Sequence, residues 1–358
     1  MASSGSITTN EYQGRSVTLS WSLSSQSIEK NTSTISWTLK GSGSGGGWVK
    51  SGGFKAVING TTVYSTSTDS RIQLYKGTTV ASGTITIAHN ADGTKSFSLS
   101  CQAGVYTYAV NVTASGTHTL NTIPRASSVK ASNVNMGSTA TITISRASSS
   151  FTHTLTYKFG NASGTIASKT SSTSVSWTPS LSLASQIPSA VSGTCTITCD
   201  TYSGSTKVGS KTCTHTLTVP SSVKPTIGNL SVTRINGDVP SSWGIYVQTK
   251  SKATIKITGA AGSYGSSVKS YSINGGGYSG TADTLTTGFL NTSGTITFTA
   301  TVTDSRGRVS NAKTTSISVV DYAPPYINSV VSQRALSNGS LNDDGTYIRG
   351  VVSFGYSS

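Results

Sequence analysis

The sequence has little charge for its length. Only 10% of its 358 residues are charged, and just 11 of them are acidic, whereas charged residues make up about a quarter of a typical globular domain. Helix surfaces are normally built from Glu, Lys, Arg and Ala, so this scarcity excludes long helices. About a third of the chain is Ser or Thr, and Thr, Val, Ile and Tyr suit a pleated, half-buried surface. The composition therefore predicts an all-β protein.

Long apolar runs are also missing from the sequence. No stretch of about 18 residues is apolar throughout, so we expect no membrane span and no membrane partner. Residues 1–10 contain neither a basic region nor an apolar core, so we expect no secretory signal. The chain is accordingly expected to be made in a reducing cytoplasm, where disulfides are rare.

Cysteine is scarce, and the four residues present are Cys101, Cys195, Cys199 and Cys213. Cys195 and Cys199 lie four residues apart on an alternating strand, about 13 Å from each other at about 3.3 Å per residue, which is too far to share one zinc ion. A hairpin centred near residues 205–207 would bring Cys199 close to Cys213, which leaves a disulfide open. A reducing compartment argues against that disulfide. We predict free, buried thiols, a core position for His215, and no metal site.

Because acidic residues are so few, the chain carries a formal net charge of +15 at pH 7. Such a charge favours anionic partners without naming one, and an acid-poor polar surface with no such partner is the alternative. The basic residues are scattered singly, without a run of Lys or Arg, and no RNP-like or zinc-finger spacing is present. We therefore expect no nucleic-acid partner.

Catalytic motifs are missing as well. Glycoside hydrolysis needs paired carboxylates, but several aspartates adjoin or lie near a Gly, where Asp caps its own turn: Asp92, Asp238, Asp304 and Asp344. Gly41, Gly43 and Gly46 match G-x-G-x-x-G, yet no helix is expected to follow and bind a phosphate. The sequence contains no G-x-S-x-G, H-E-x-x-H or P-loop. We predict no catalytic residue, no cofactor and no enzymatic activity.

Short alternating runs, broken by Gly, Asn, Asp or Ser, are present along the whole chain. Their spacing is typical of β-sandwiches rather than of βαβ units. One helix of one or two turns is predicted at residues 180–187, between Pro179 and Pro188. Residues 193–198 resemble residues 294–299, which indicates an internal repeat. The predicted fold class is all-β, with tandem immunoglobulin-like β-sandwich domains.

Proline is rare, with 8 residues in all, and it clusters after strands near positions 124, 222 and 323. Proline fixes φ and removes a ladder donor, so it suits a chain that leaves one sheet for the next domain. The predicted domains are an N-terminal β-sandwich (1–124), two immunoglobulin-like β-sandwiches (125–222 and 223–322), and the start of a further, truncated β domain (323–358). We therefore expect this chain to be the front part of a longer protein.

Three aromatic residues lie in Gly- and Ser-rich segments and are predicted ligand-binding residues: Trp48, Tyr264 and Tyr278. Loops carry binding functions, and aromatic side chains supply rigid contact area on which sugar rings can stack. A core or inter-subunit position is the alternative for Trp48. Strand alternation surrounds Trp37, Tyr157 and Trp177, so these three are expected in the core.

Three N-terminal segments resemble a family of minor structural proteins from siphophages that infect Gram-positive bacteria. The segments are residues 24–37, 87–95 and 120–127, and their order matches as well. The turn at 303–307 is less specific, because it also resembles generic bacterial immunoglobulin-like repeats. The resemblance implies a virion tail or baseplate protein, assembled in the host cytoplasm, that forms a homo-oligomer and contacts other virion tail proteins. The resemblance assigns no catalytic residue to this chain.

Two other functions stay open at this point. The first is a bacterial surface adhesin or carbohydrate-binding module, which a secretion signal or sorting motif in the full gene would favour. The second is a cell-wall hydrolase whose catalytic domain lies outside this chain. The phage structural role with host attachment is the first choice, because the motifs resemble a virion component and the carboxylates are few and lie in turns.

Overall fold

The computed structural model describes residues 3–50, 53–66, 71–105 and 110–356, without the side chains of residues 48–50, 71–72 and 105. Within these ranges the regular structure is 28 strands and two short 3-10 helices, so the predicted all-β class is confirmed. No helix in the described ranges is long and apolar enough to cross a membrane. The predicted helix is the 3-10 helix η1 (Leu181–Gln186), which is capped by the Ser180 hydroxyl.

Two four-stranded sheets form the N-terminal sandwich, in the orders β1-β2-β3-β8 and β10-β9-β5-β6, and β4 pairs with β7 in a separate ribbon. Its strands are β1 (Ser4–Thr8), β2 (Val17–Ser27), β3 (Thr32–Gly41), β4 (Gly47–Lys50), β5 (Lys55–Ile58), β6 (Thr61–Ser65), β7 (Arg71–Leu74), β8 (Thr79–Ala88), β9 (Ser96–Val105) and β10 (Val110–Thr119). Alternation places Val17, Leu19 and Trp21 of β2 on the buried face. Trp21 meets Phe97 of the facing sheet edge-on, with 5.1 Å between ring centroids. The predicted core position of Trp37 is confirmed.

The second sandwich has a three-stranded sheet, β11-β13-β16, and a five-stranded sheet, β12-β18-β17-β14-β15. Its strands are β11 (Ser128–Ala131), β12 (Val134–Asn135), β13 (Ala140–Ser145), β14 (Thr152–Phe159), β15 (Ala162–Thr170), β16 (Ser174–Trp177), β17 (Ser192–Ser203) and β18 (Thr206–Thr218). Ile142, Leu155 and Ile197 pack in its core. Tyr157 and Trp177 are half-buried and stack at 4.9 Å between centroids, at the edge of this core.

The third sandwich repeats this topology strand for strand, with sheets β19-β21-β24 and β20-β26-β25-β22-β23. Its strands are β19 (Asn229–Ile235), β20 (Tyr246–Val247), β21 (Lys252–Thr258), β22 (Val268–Gly275), β23 (Tyr278–Gly280), β24 (Thr284–Thr286), β25 (Gly294–Asp304) and β26 (Lys313–Val320), with the 3-10 helix η2 (Ser241–Trp243) before β20. In both sandwiches a two-residue strand pairs in parallel with the last strand, while the other neighbours described are antiparallel. The repeated segments at 193–198 and 294–299 fall in the corresponding strands β17 and β25.

The last two strands, β27 (Tyr326–Ala335) and β28 (Tyr347–Gly355), form an antiparallel ribbon. Nearly every side chain of the ribbon is exposed, including Ile327, Ile348 and Phe354. A two-stranded hairpin is marginally stable by itself in water, so the ribbon gains little from burial within the described chain.

Contacts divide the chain into two compact units. The first unit contains residues 1–133, 139–177 and 194–216, and hence the N-terminal sandwich and most of the second. The second unit contains residues 134–138, 178–193 and 217–358, and hence the third sandwich, the ribbon and η1. The domain boundaries near 124, 222 and 323 stay a prediction.

Candidate functional site

The three aromatic residues expected to bind a ligand have different surroundings. The backbone of Trp48 lies in β4 opposite Gln73, and its side chain is outside the described residues. Tyr264 is 43% exposed in a loop of the second unit and has a positive φ of 48°. The half-buried Tyr278 donates its hydroxyl proton to the carbonyl oxygen of Phe289 at 2.5 Å, and its ring packs against the hydrophobic core of the third sandwich. Ligand binding by these residues stays a prediction, and the hydroxyl of Tyr278 already has a partner.

Three carboxylates are bonded to neighbouring loops, turns or strands. Glu11 accepts hydrogen bonds from the hydroxyl and the backbone N–H of Ser44, which lower the pKa of its carboxyl. Asp92 accepts from the hydroxyl and backbone N–H of Thr94 at 2.7 and 2.9 Å, which lower its pKa in the same way. Burial alone would raise the pKa of Asp200, but hydrogen bonds from Lys207 and Ser210 outweigh it and the pKa is lowered. These three carboxylates are ionised and engaged at neutral pH.

The thiols are free and largely inert. Cys101, Cys195 and Cys199 are buried, and Cys213 is half-buried. Burial raises the pKa of each buried thiol to about 11, so these thiols stay protonated and are poor nucleophiles at neutral pH. In the part of the chain that the structure describes, no three His, Cys, Asp or Glu residues are grouped so that they could hold a metal ion.

His215 lies in the core of the second sandwich, as the strand alternation predicts. It is buried, and its Nδ1 donates to the carbonyl oxygen of Ser132 at 2.9 Å. The other ring nitrogen, Nε2, has no hydrogen-bond partner within the described residues. The core interpretation of His215 is confirmed, with one of its two nitrogens bonded.

A turn after β25 contains Arg306, a charged side chain with four hydrogen bonds to backbone carbonyls. The Oδ1 atom of Asp304 accepts the backbone N–H groups of Arg306 and Arg308 at 3.0 and 2.8 Å, which closes the turn. The turn then directs Arg306 inward, and its side chain is only 7% exposed. Gly307 follows with a φ of +78°, a conformation that glycine adopts without strain.

The guanidinium group of Arg306 donates to four backbone carbonyl oxygens within the second unit. Two belong to the end of η1, Ala184 at 2.8 Å and Ile187 at 3.3 Å. The other two belong to the loop after β21, Ser263 and Tyr264, each at 2.7 Å. The Ala184 and Ile187 carbonyls also accept the backbone N–H groups of Ile187 and Ala190, so Arg306 adds a second, charged donor at the end of η1.

Two neighbouring side chains extend this set of contacts, which we call the Arg306 junction (residues 184–188, 219, 263–264 and 304–308). The hydroxyl of Ser305 donates to the Pro188 carbonyl at 2.6 Å, and the Arg308 guanidinium donates to the Val219 carbonyl at 2.9 Å. Burial lowers the pKa of Arg306, while the nearby charge of Asp304 opposes that shift. A buried cation without partners would be costly, so these carbonyl dipoles stabilise it and fix the segment 184–188 against the third sandwich.

Nothing in the sequence distinguishes Arg306 from an exposed turn residue. It stands between Ser305 and Gly307 in a polar segment, and its carbonyl partners lie 42 to 122 residues away. The family resemblance includes the turn at 303–307 but assigns the arginine no role.

The comparison with solved structures matched several multi-domain proteins. Fibronectin(III)-like modules of Clostridium thermocellum CbhA match at 13% identity, over 54% of this chain and 95% of that chain, with a TM-score of 0.21. Titin domains A168–A170 match at 15% identity, over 83% and 97% of the two chains, with a TM-score of 0.26. Protocadherin gamma B2 cadherin domains 3–6 match at 12% identity, over 80% and 72%, with a TM-score of 0.30. These likenesses support no inference about function.

Sequence comparison is more informative. A family model described as a siphovirus protein of unknown function (DUF859) matches residues 5–342. A comparison with curated proteins found no match.

Proposed function

The chain belongs to the DUF859 family of siphovirus proteins, and we propose that it is a non-enzymatic structural protein of the phage tail or baseplate. Membership of a siphovirus family favours a phage protein over a bacterial surface adhesin. The N-terminal segments at 24–37, 87–95 and 120–127 add the resemblance to minor structural proteins of phages with Gram-positive hosts.

The Arg306 junction is the observation that carries this proposal. Its charged groups, Asp304 and Arg306, bond to backbone atoms of the fold. Glu11 and Asp92 likewise bond to nearby loops. These three carboxylates, Glu11, Asp92 and Asp304, hold loops and turns in place, as expected for a scaffold.

The sheets supply contact surfaces for assembly into an oligomer. Strands such as β10, β18 and β25 alternate buried residues with exposed Thr and Ser, so their outer faces can form hydrogen-bonded contacts. Edge strands can also accept a strand from another tail protein by β-augmentation. The net charge of +15 favours attachment to an anionic wall polymer of the host.

Purified virions test the structural role. We expect antibody against the chain to label the tail in electron micrographs, and quantitative mass spectrometry to find several copies per particle. The soluble protein should release neither sugar nor peptide from host cell walls. A chain that is absent from virions, or hydrolytic activity that one Asp substitution abolishes, would contradict the proposal.

Attachment to an anionic polymer is tested separately. Binding of the soluble protein to host walls should weaken steeply between low and physiological salt, because salt screens exposed charges beyond roughly 8–10 Å. Binding that salt leaves unchanged would exclude the electrostatic mechanism and leave the tail role intact.

A further inference from the structure

Trp243 is an unusually exposed tryptophan in the second unit. It ends the short helix η2, and 60% of its surface is accessible, whereas Trp21 and Trp37 are buried. Large aromatic residues normally bury most of their surface, and single exposed ones at preformed sites often contact a ligand. The surroundings of Trp243 decide whether it belongs to such a site.

The loop that carries Trp243 is fixed on both sides. The Arg234 guanidinium donates to the carbonyl oxygens of Ser241 and Ile245, both at 2.8 Å. These carbonyls bracket the tryptophan in sequence, and Gly244 completes the bend with a φ of +68°. The indole is therefore presented by a preorganised loop, so a ligand would not need to order it on binding.

A cleft of about 360 Å³ opens beside the indole. Tyr322, Tyr356, Ile245 and Pro325 are among its lining residues, and Asp321 is the charged residue of that lining. Tyr356 is 72% exposed, so two aromatic side chains of the cleft are accessible from solvent. This volume lies within the range of small-molecule sites, which are mainly apolar with a few polar groups.

Tyr322 is the more firmly held of the two tyrosines. Its backbone N–H donates to Oε1 of Gln248 at 3.4 Å, and the Lys250 ammonium lies 5.2 Å from its ring centroid. Aromatic faces with a carboxylate and an ammonium nearby match the chemistry of a sugar, which has an apolar C–H face and a rim of hydroxyl groups.

We propose that the cleft formed by Trp243, Asp321, Tyr322 and Tyr356 binds a neutral saccharide. The pyranose ring stacks on the indole of Trp243, and its hydroxyl groups donate to the carboxylate of Asp321. A neutral saccharide carries no charge for the basic chain to attract. This surface is therefore distinct in its chemistry from any attachment of the basic chain to an anionic polymer, and it does not depend on a position in the tail.

Fluorescence and calorimetric titrations of the 358-residue chain test the cleft. The probes are methyl glucoside, methyl galactoside, methyl rhamnoside, maltose and an N-acetylglucosamine oligomer, with poly(glycerol phosphate) as the anionic comparison. At least one neutral probe should bind. Trp243→Ala should weaken that binding about tenfold or more, the scale of losing an aromatic hot spot. Trp243→Phe should keep part of it, and Asp321→Asn should weaken it less than Trp243→Ala.

Tyr75→Ala is the matched control, because it removes an exposed aromatic side chain of the N-terminal sandwich. It should bind the neutral probes as the unchanged chain does. Circular dichroism should show folded protein for each variant, and Trp243→Phe tests the site if the alanine variant does not fold. The proposal is overturned if no neutral probe binds, if Trp243→Ala binds as well as the parent, or if poly(glycerol phosphate) occupies the cleft instead.

Sedimentation of the same variants separates a saccharide site from a protein interface. Dissociation of an oligomer by Trp243→Ala, without any saccharide binding by the parent, would show that a protein covers the cleft and would also overturn the proposal. The virion-labelling result does not enter this test, so failure of the structural role and failure of the saccharide site are distinguishable.

Discussion

The guanidinium of Arg306 donates to the carbonyl oxygen of Ala184 at 2.8 Å, across 122 residues of sequence. This bond links the end of η1 to the turn after β25. Both residues are buried, so water cannot readily replace the donor, and the bond is expected to contribute more than an exposed one.

Replacing Arg306 should therefore destabilise the protein. In Arg306→Met the stem of the side chain is largely kept, but four carbonyl oxygens lose the hydrogen bond from the guanidinium group. We expect the free energy of unfolding, measured by urea denaturation, to fall by about 3 kcal/mol. Arg349→Ala, which removes an exposed arginine of the ribbon, is the control and should change it by less than about 0.5 kcal/mol. Equal effects of the two substitutions would show that the Arg306 contacts contribute nothing.

Acid should weaken the N-terminal sandwich through Glu11. Hydrogen bonds from Ser44 hold the pKa of Glu11 in the folded protein below its usual value of 4.5. The stability that ionised Glu11 contributes is therefore complete above pH 4.5, and it is lost as the pH falls through the lower pKa of the folded protein. Unfolding measured from about pH 5 to pH 3 should therefore show a smaller decline for Glu11→Gln than for the parent chain. Glu29→Gln, at another exposed position, should follow the parent. If the stability of Glu11→Gln fell with pH in parallel with that of the parent chain, Glu11 would not be the group that couples stability to pH.

The cysteines should all react once the protein is unfolded. Intact mass after alkylation in denaturant, without reductant, should show four added groups, because all four thiols are free. In the native state at neutral pH, Cys213 should react first, since it is half-buried while the other three are buried. Two added groups or none in denaturant would reveal a disulfide.

Limited proteolysis should cut the isolated chain near residues 124 and 222. Ser221 and Ser222 are exposed, and segments between sandwich cores are preferred cleavage sites. Fragments of roughly 100 residues should survive, as expected for independent domains. A resistant fragment that spans residues 1–222 would show that the boundary predicted at Pro124 is wrong.

Much of the fold follows from local alternation. Val17, Leu19 and Trp21 share a face because successive side chains of a strand point to opposite sides, and this periodicity can be read without knowing the partner strand. The repeated segments in β17 and β25 show the same local alternation. The cap of η1 is also local, because the Ser180 hydroxyl accepts the backbone N–H of Ser182, two residues further on. Fold class, internal repeat and the short helix were therefore predictable.

The sequence by itself determined an all-β chain of repeated sandwiches with free thiols, because strand period, turn chemistry and composition act over a few residues. Only the tertiary structure decided which exposed-looking side chains are buried and which aromatic residues face solvent. Arg306 and Trp243 both stand next to a glycine in polar segments, yet Arg306 is enclosed by carbonyls and Trp243 is exposed on a loop that Arg234 holds. Burial depends on partners distant along the chain, and the folded arrangement alone brings those partners together.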